Sequence, residues 1–408
     1  MSADRGVRLR AARAVFDRAN VEQLEAVRRA IEAEEDTEIT VLLGQAEASM
    51  VLKSEETLEA KLAAVETLKT RGDREAMARL RAASADDTAP GLQEAAVAAV
   101  AAIERRYQML SMAQNVYYGL SLGSVLLLAA IGLAITFGVM GVINMAHGEM
   151  VMIGAYTTFV VQEIIRQNAP WLFDSSLLIA IPLAFLIAGG VGILIERGII
   201  RFLYGRPLET LLATWGVSLI LQQAVRSIFG PTNQQVGNLS WMSGAVDVAG
   251  LTFTYNRLWI IFFALAGFVL LLACIRLTTF GLQMRAVTQN RQMAASMGIR
   301  TPWVDALTFG LGSGVAGIAG VALSQIDNVS PNLGQGYIID IFMVVVFGGV
   351  GNLWGTLVGA MTLGVANKFL EPYAGAVLAK ILVLVFIILF IQKHPRGLFA
   401  LKGRAVET

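Results

Sequence analysis

Long apolar runs fill the chain from Val116 onward. A helix of about 20 apolar residues can cross a bilayer, and eight stretches have that character. They are residues 117–143, 145–165, 175–203, 209–229, 257–277, 304–325, 337–367 and 374–391. The pattern predicts an all-α, polytopic membrane helix bundle of about eight spans over residues 111–400.

The seventh stretch, 337–367, is irregular because it has four glycines and Asn352 at its middle. It is long for one span and short for two. Non-helical backbone persists at membrane depth only where protein covers it or it lines a cavity. We therefore expect a discontinuous Gly-rich element here.

Part of this element repeats a pattern found earlier in the chain: Phe137, Gly138 and Gly141 recur as Phe347, Gly348 and Gly351. Corresponding Gly-rich interruptions in two halves indicate a translocation site in many transporters; chance in a Gly-rich chain is the alternative. The predicted hinge glycines are Gly138, Gly141, Gly148, Gly348 and Gly351.

Residues 1–110 are Ala-rich and densely charged. "RLRAARAVFDRANVEQLEAVRRA" from Arg8 matches "KLAAVETLKTRGDREAMARLRAA" from Lys61, and each reads as two helices. A third helix is predicted after each pair, over 39–52 and 92–106. Repeated helical units predict a HEAT-like soluble extension, with a plain helical bundle as the alternative. The first unit begins almost at Met1, so we expect the natural protein to be longer there.

Basic residues predict the orientation, because cytoplasmic loops are enriched in Lys and Arg. Three basic segments are therefore expected in the cytoplasm, the last continuing into a tail at 401–408. This places the helical extension in the periplasm. Residues 1–30 contain no export signal, and Arg105 with Arg106 oppose this orientation, so a miscounted span is the alternative. The basic residues of the three segments are Arg197, Arg201 and Arg206; Arg276, Arg285, Arg291 and Arg300; and Lys393, Arg396, Lys402 and Arg404.

Composition and motifs exclude several classes of function. The chain is 55% hydrophobic and 15% charged with a net charge of +1, which gives no reason to expect nucleic acid. The single cysteine, Cys274, excludes a disulfide within the chain. No nucleotide-binding P-loop and no H-E-x-x-H motif occurs. We predict a protein that is not an enzyme and has no metal site or cofactor.

Polar residues interrupt "FGVMGVINMAHGEMVMIGAY" at Asn144, His147 and Glu149. A carboxylate at bilayer depth costs at least about 3 kcal/mol. One interpretation is a helix start, with Asn144 as the N-cap and Glu149 in the second turn; the other is a mobile, functional segment. The candidates for a solute path are Thr136, Asn144, Glu149, Thr214, Ser218, Gln222 and Asn352.

The segment 280–300 is rich in Gln, Asn and Arg and is longer than a connector requires. A short helix over 289–297, ending at Gly298, is predicted to dock a partner, with Arg285 and Arg291 pairing with the partner's carboxylates. A plain connecting loop is the alternative. The residues predicted to couple to an ATPase are Arg285, Asn290, Arg291, Ala295 and Gly298.

Three stretches carry a family resemblance: "GLAITFGVMGVINMAHGEMVMIGAY" from Gly132, "MRAVTQNRQMAASMGI" from Met284 and "VFGGVGNLWGTLVGA" from Val346. From Val116 to Gly397 the chain resembles the permeases of the branched-chain amino acid ABC importer family. Its helical extension is similar to that of the urea-transporting members.

The resemblance implies a bacterial inner-membrane permease that imports urea or short amides, with branched-chain amino acids as the alternative substrate. It also implies a second homologous permease, two cytoplasmic ATPases that hydrolyse the ATP, and a periplasmic solute-binding protein. The helix near residue 291 would be the coupling helix. A passive channel is a further alternative, although it would have no need of a segment that contacts a motor.

Overall fold

A computed structural model describes residues 4–18, 20–85, 90–248 and 251–399. The chain divides into two compact units, with the boundary between Ala113 and Gln114. The predicted cytoplasmic tail at 401–408 lies outside the described residues.

The first unit consists of helices that recur in two sets of three. Each set corresponds to one copy of the sequence repeat. The predicted helix at 92–106 is not separate, because residues 107–118 contain neither glycine nor proline and helix α6 continues to Met140. The helices are α1 Arg5–Asp17, α2 Leu24–Glu32 and α3 Thr37–Val51, then α4 Leu58–Arg71, α5 Arg74–Ser84 and the first part of α6 Pro90–Met140.

Side-chain caps begin several of these helices. Thr57 accepts a hydrogen bond from the Ala60 amide at the start of α4, and Asp73 does the same for Ala76 in α5. Between them, Gly72 ends α4 in the left-handed region (φ +61°), which a residue without Cβ adopts at little cost. The helices enclose a small apolar core that includes Leu68 and Leu80.

The second unit is a helix bundle, as the apolar pattern predicts. The described residues also include a two-stranded hairpin, which that pattern did not predict. The hairpin pairs β1 Ala245–Val248 with β2 Leu251–Thr254. The helices that follow α6 are α7 His147–Asn168, α8 Ser176–Gly198, α9 Pro207–Phe229, α10 Tyr255–Leu277, α11 Thr279–Gln289, α12 Arg291–Ser296, α13 Thr301–Leu323, α14 Leu333–Gly348 and α15 Leu353–Lys393.

Within the described residues, five helical segments are long and apolar enough to cross a membrane, fewer than the eight stretches expected. They contain α6, α8, α10, α13 and α15. Helices α7 and α9 are of spanning length but have more polar residues, and α14 has only 16 residues.

The Gly-rich element is discontinuous, as predicted: α14 ends at Gly348 and α15 begins at Leu353. The predicted stretch 374–391 also follows a break. Helix α15 contains the non-helical residue Gly375 (φ +77°), which divides it into two helical parts. The second part begins where the apolar pattern predicts a separate stretch.

Helix α13 lies at the centre of the unit and packs on α7 and α8 through small residues. A Cβ added at Gly154 of α7 would lie 1.9 Å from the Gly317 carbonyl oxygen of α13. One added at Gly320 would lie 2.0 Å from the Val151 oxygen. Small residues allow such backbone contact between membrane helices, so α7 and α13 touch directly.

Candidate functional site

Helix α9 has one polar face and one apolar face. Side chains four residues apart lie on the same side of a helix, and Thr210, Thr214, Ser218 and Gln222 form such a buried row. The opposite side is exposed and apolar, with large side chains that include Leu212. The row therefore faces the interior of the bundle.

Glu149, in the first turn of α7, meets this row. Its Oε1 accepts hydrogen bonds from Ser218 Oγ at 2.9 Å and Gln222 Nε2 at 2.8 Å. The residue is only 1% exposed, and among the described residues its Oε2 has no hydrogen-bond partner. The backbone of α14 closes the other side, since a Cβ on Gly334 would lie 2.7 Å from Oε2. The buried carboxylate thus keeps an unused acceptor.

The loop before α7 extends the polar cluster. Thr214 Oγ1 accepts from the Met145 amide at 3.1 Å, and Asn144 Oδ1 accepts from the Ala146 amide at 3.0 Å. The expected helix start is wrong: the N-cap position of α7 is Ala146, and Glu149 lies in the first turn. Asn144 lies before the N-cap position, so its side chain does not cap α7. It accepts a hydrogen bond from an amide in its own loop instead. A carboxylate in the first helical turn is favoured by the helix dipole.

Two predicted path residues lie outside this cluster. Thr136 donates to backbone oxygens of its own helix, Gly132 and Leu133. Asn352 caps α15 by accepting from the Trp354 amide at 3.1 Å, and it donates to the Phe399 oxygen at 3.2 Å. Both side chains therefore have hydrogen-bond partners in the backbone.

His147 is completely buried beside the cluster, and its Nε2 lies 2.9 Å from the Ala129 oxygen. Across the described residues, no group of three or more His, Cys, Asp and Glu side chains gathers as metal ligands. The imidazole therefore ties α7 to α6.

The predicted hinge glycines occupy close contacts and turns. Gly141 and Gly351 have positive φ of 68° and 79°. A Cβ on Gly138 would lie 2.7 Å from Gly351 Cα, so the two repeated Phe-Gly segments are in contact. Gly148 and Gly348 likewise contact the backbone of α14 and α15. Whether these positions move is a prediction that the contacts do not test.

The short helix predicted over 289–297 is present as α12, and a separate helix, α11, precedes it. Asn290 breaks the chain between α11 and α12, because its side chain accepts from the Met293 amide and begins a new helix. Gly298 follows with φ +86°. Arg285 donates to the Ile275 oxygen at 2.6 Å, and Ala295 is exposed.

Arg291 has a carboxylate partner within this chain, and its expected pairing with another protein stays a prediction. Its guanidinium forms an ion pair with Asp305 in α13, where Nη1 to Oδ1 is 3.3 Å and Nη2 contacts Oδ2. Asp305 is fully buried. Arg291 also lies 4.6 Å from the centroid of the Tyr204 ring.

Several charged residues in the membrane unit were not predicted as site residues. Asp305, Asp340 and Lys380 are isolated charges inside predicted spans, and a charge in such a position is itself a signal of a paired or functional residue. Asp340 and Lys380 form an ion pair at 2.8 Å. Glu196, at the end of α8, accepts a hydrogen bond from Tyr204 at 3.3 Å.

A cavity of about 700 Å³ opens beside α11. Its walls come from the ends of α6 and α10, from α11 and from the Gly-rich break. Its polar lining includes Arg276, Arg285, Gln289 and Asn352, and Trp354 adds an aromatic surface. Cationic and amide donors therefore surround this opening.

Known proteins resemble this chain over most of the second unit. Residues 115–391 match the family model described as branched-chain amino acid transport system / permease component. No solved structure matches the chain.

The high-affinity branched-chain amino acid transport system permease protein LivH of Salmonella typhimurium is 31% identical over 301 residues, 71% of this chain and 96% of that protein. The corresponding protein BraD of Pseudomonas aeruginosa is 29% identical over 70% of this chain and 94% of its own length. The ribose import permease protein RbsC of Bacillus subtilis matches a shorter part, with 30% identity over 26% of this chain and 35% of its own.

These relatives are membrane transport subunits and not enzymes. The matched region, the apolar helices and the identity to LivH agree with one another. The chain is thus an ABC-transporter permease subunit and belongs to the branched-chain amino acid transport system permease family.

Proposed function

We propose that this chain is one permease of an ATP-driven importer of branched-chain amino acids. The observation that carries the proposal is the match to permeases of this solute class over nearly their whole length. A second permease, two ATPases and a solute-binding protein complete the importer. The basic segments face the cytoplasm, and residues 1–113 lie on the periplasmic side.

The buried Glu149 supports an amino acid as the solute. An amino acid has an ammonium group, which a carboxylate binds through charge-assisted hydrogen bonds. Glu149 has an unused oxygen, and its two partners in the described residues are neutral. A path for neutral urea requires amides, hydroxyls and aromatic faces, with no need of a carboxylate. Asn144, Thr214, Ser218 and Gln222 would complete this part of the path.

Urea, or a related short amide, is the second candidate. The relatives align with about 70% of this chain while covering almost all of their own length, so they lack a counterpart of the helical extension. That extension is similar to the one in urea-transporting members of the family. Urea also has N–H groups, from which Glu149 would accept hydrogen bonds.

Transport by the reconstituted importer distinguishes these proposals. We expect proteoliposomes that contain both permeases, the ATPases and the binding protein to accumulate radiolabelled leucine only with ATP. Accumulation of urea instead would favour the second candidate. Equilibration at full rate without ATP would contradict the importer and indicate a channel. A Gln292→Cys variant tests the orientation. Labelling of this cysteine from outside intact cells would contradict a cytoplasmic position for α12.

Replacing Glu149 with Gln tests the solute path. The variant keeps the side-chain shape but loses the charge, and a hydrogen bond to a charged group is worth about 1.5–3 kcal/mol. We expect leucine uptake to fall about ten- to a hundredfold. Glu163→Gln on the same helix is the matched control, because Glu163 pairs with Arg166 and Gln167 near the exposed helix end. Equal uptake by both variants would remove Glu149 from the path.

A further inference from the structure

Arg291 is the first residue of α12, a helix of only six residues. Its guanidinium contacts both oxygens of Asp305, a geometry that fixes orientation as well as distance. Asp305 belongs to the second turn of α13 and is 0% exposed. The short helix is therefore attached to a membrane helix by a directional ion pair.

Tyr204 extends this attachment to α8. The Arg291 guanidinium lies over its ring, and the phenol donates to Glu196 Oε1. A tyrosine phenol is protonated at neutral pH and can donate, and burial raises the pKa of the Tyr204 phenol further above its usual value. Glu196 is 1% exposed and lies in the last turn of α8.

Arg197 is a second arginine in the cluster and lies beside Glu196. Its Nε is 3.8 Å from Glu196 Oε2, and its guanidinium lies 4.3 Å from the Trp303 ring centroid in α13. Two buried carboxylates require cations nearby, because an uncompensated buried charge is strongly unfavourable. Arg291 is the cation that contacts Asp305, and it comes from the one short helix in the cluster.

Helix α13 connects this cluster to the candidate solute path. From Asp305 it continues to Gly317 and Gly320, which contact the backbone of α7. Glu149 lies in the first turn of α7. Backbone contacts of this kind leave no flexible side chain to absorb a displacement, and packed interiors shift between discrete arrangements rather than deform continuously.

We propose that the Arg291–Asp305 ion pair, supported by Tyr204 and Glu196, is the linkage that transmits movement of α12 to α8 and α13. Arg291 and Asp305 act as positioning residues, and the ATPase contacts other groups on α11 and α12. The inference rests on the proposed importer function. It adds that a single internal ion pair determines how efficiently ATP hydrolysis is converted into solute movement.

The test measures the number of leucine molecules accumulated per ATP hydrolysed, in proteoliposomes with the complete importer. We expect Asp305→Asn to retain ATPase co-purification and ATP hydrolysis while this ratio falls at least tenfold. Arg300→Gln is the matched control, because Arg300 is an exposed arginine in the same segment, and it should leave the ratio unchanged. Arg291→Lys, which keeps the charge but loses the paired contact, should give an intermediate ratio.

An unchanged ratio in Asp305→Asn would overturn the proposal, as would loss of ATPase co-purification in Arg291→Lys with normal co-purification in Asp305→Asn. Should Asp305→Asn fail to assemble, the ratio in Arg291→Lys decides alone, and a wild-type value would refute the linkage. Failure of the importer function itself would be recognised separately, because the wild-type protein would then show no ATP-dependent uptake.

Discussion

A Gly154→Leu variant is expected to lose the folded membrane unit. The glycine lies where α7 and α13 touch, and a Cβ alone would be 1.9 Å from the Gly317 oxygen and 2.7 Å from the Gly317 Cα. These atoms are backbone, so no change of rotamer can make room. One extra methylene in a packed core costs about 1–3 kcal/mol, and leucine adds a whole isobutyl group. The two helices would have to separate along their contact.

The measurement is thermal unfolding of the purified protein in detergent, followed by size-exclusion chromatography. Gly216→Leu in α9 is the matched control, because a Cβ at that glycine has no atom within 4 Å. We expect the control to elute and melt like the wild-type protein and Gly154→Leu to aggregate. A normal melting temperature for Gly154→Leu would contradict the direct contact of these two helices.

Lys380→Met should also destabilise the membrane unit, through a charge left without its partner. Asp340 in α14 is 4% exposed, and Lys380 in α15 is its ion-pair partner. Breaking a buried ion pair costs about 3–5 kcal/mol, and we expect the lower end because the lysine side chain is 47% exposed. The lysine also donates to the Gly336 oxygen at 3.3 Å.

Two further variants isolate the cause. Asp340→Asn combined with Lys380→Met removes both charges and should recover most of the lost stability. Lys368→Met is the control in the part of α15 before Gly375, since Lys368 pairs with Glu371 one turn away, and pairs of that kind contribute about 0.3–0.5 kcal/mol. If Lys380→Met and Lys368→Met lowered the melting temperature equally, the Asp340 charge would not explain the effect.

Local sequence features account for much of the helical architecture. Apolar runs of spanning length became helices, and the glycines before Leu353 produced a true break between α14 and α15. Capping residues such as Asp73 coincide with the start of a helix. These features depend on neighbouring residues, which is why periodicity and turn chemistry reveal them.

Helix junctions were less predictable because continuity depends on what surrounds the backbone. The helix at 92–106 merged with the first predicted span to form α6. Asn144 was expected to cap a helix, but it bonds the Ala146 amide within the loop. The choice between these alternatives depends on packing around the segment, which a pattern of residue types does not contain.

The sequence alone determined the class of the protein, an all-α membrane permease, and named Glu149, Ser218 and Gln222 as candidates one at a time. Only the tertiary structure decided that these three residues meet, that Arg291 pairs with Asp305 and that Asp340 pairs with Lys380. Such pairs depend on how each helix is rotated toward its neighbours. That rotation follows from the close approach of glycines on facing helices, including Gly154 and Gly317, and so it arises only when the whole bundle is packed.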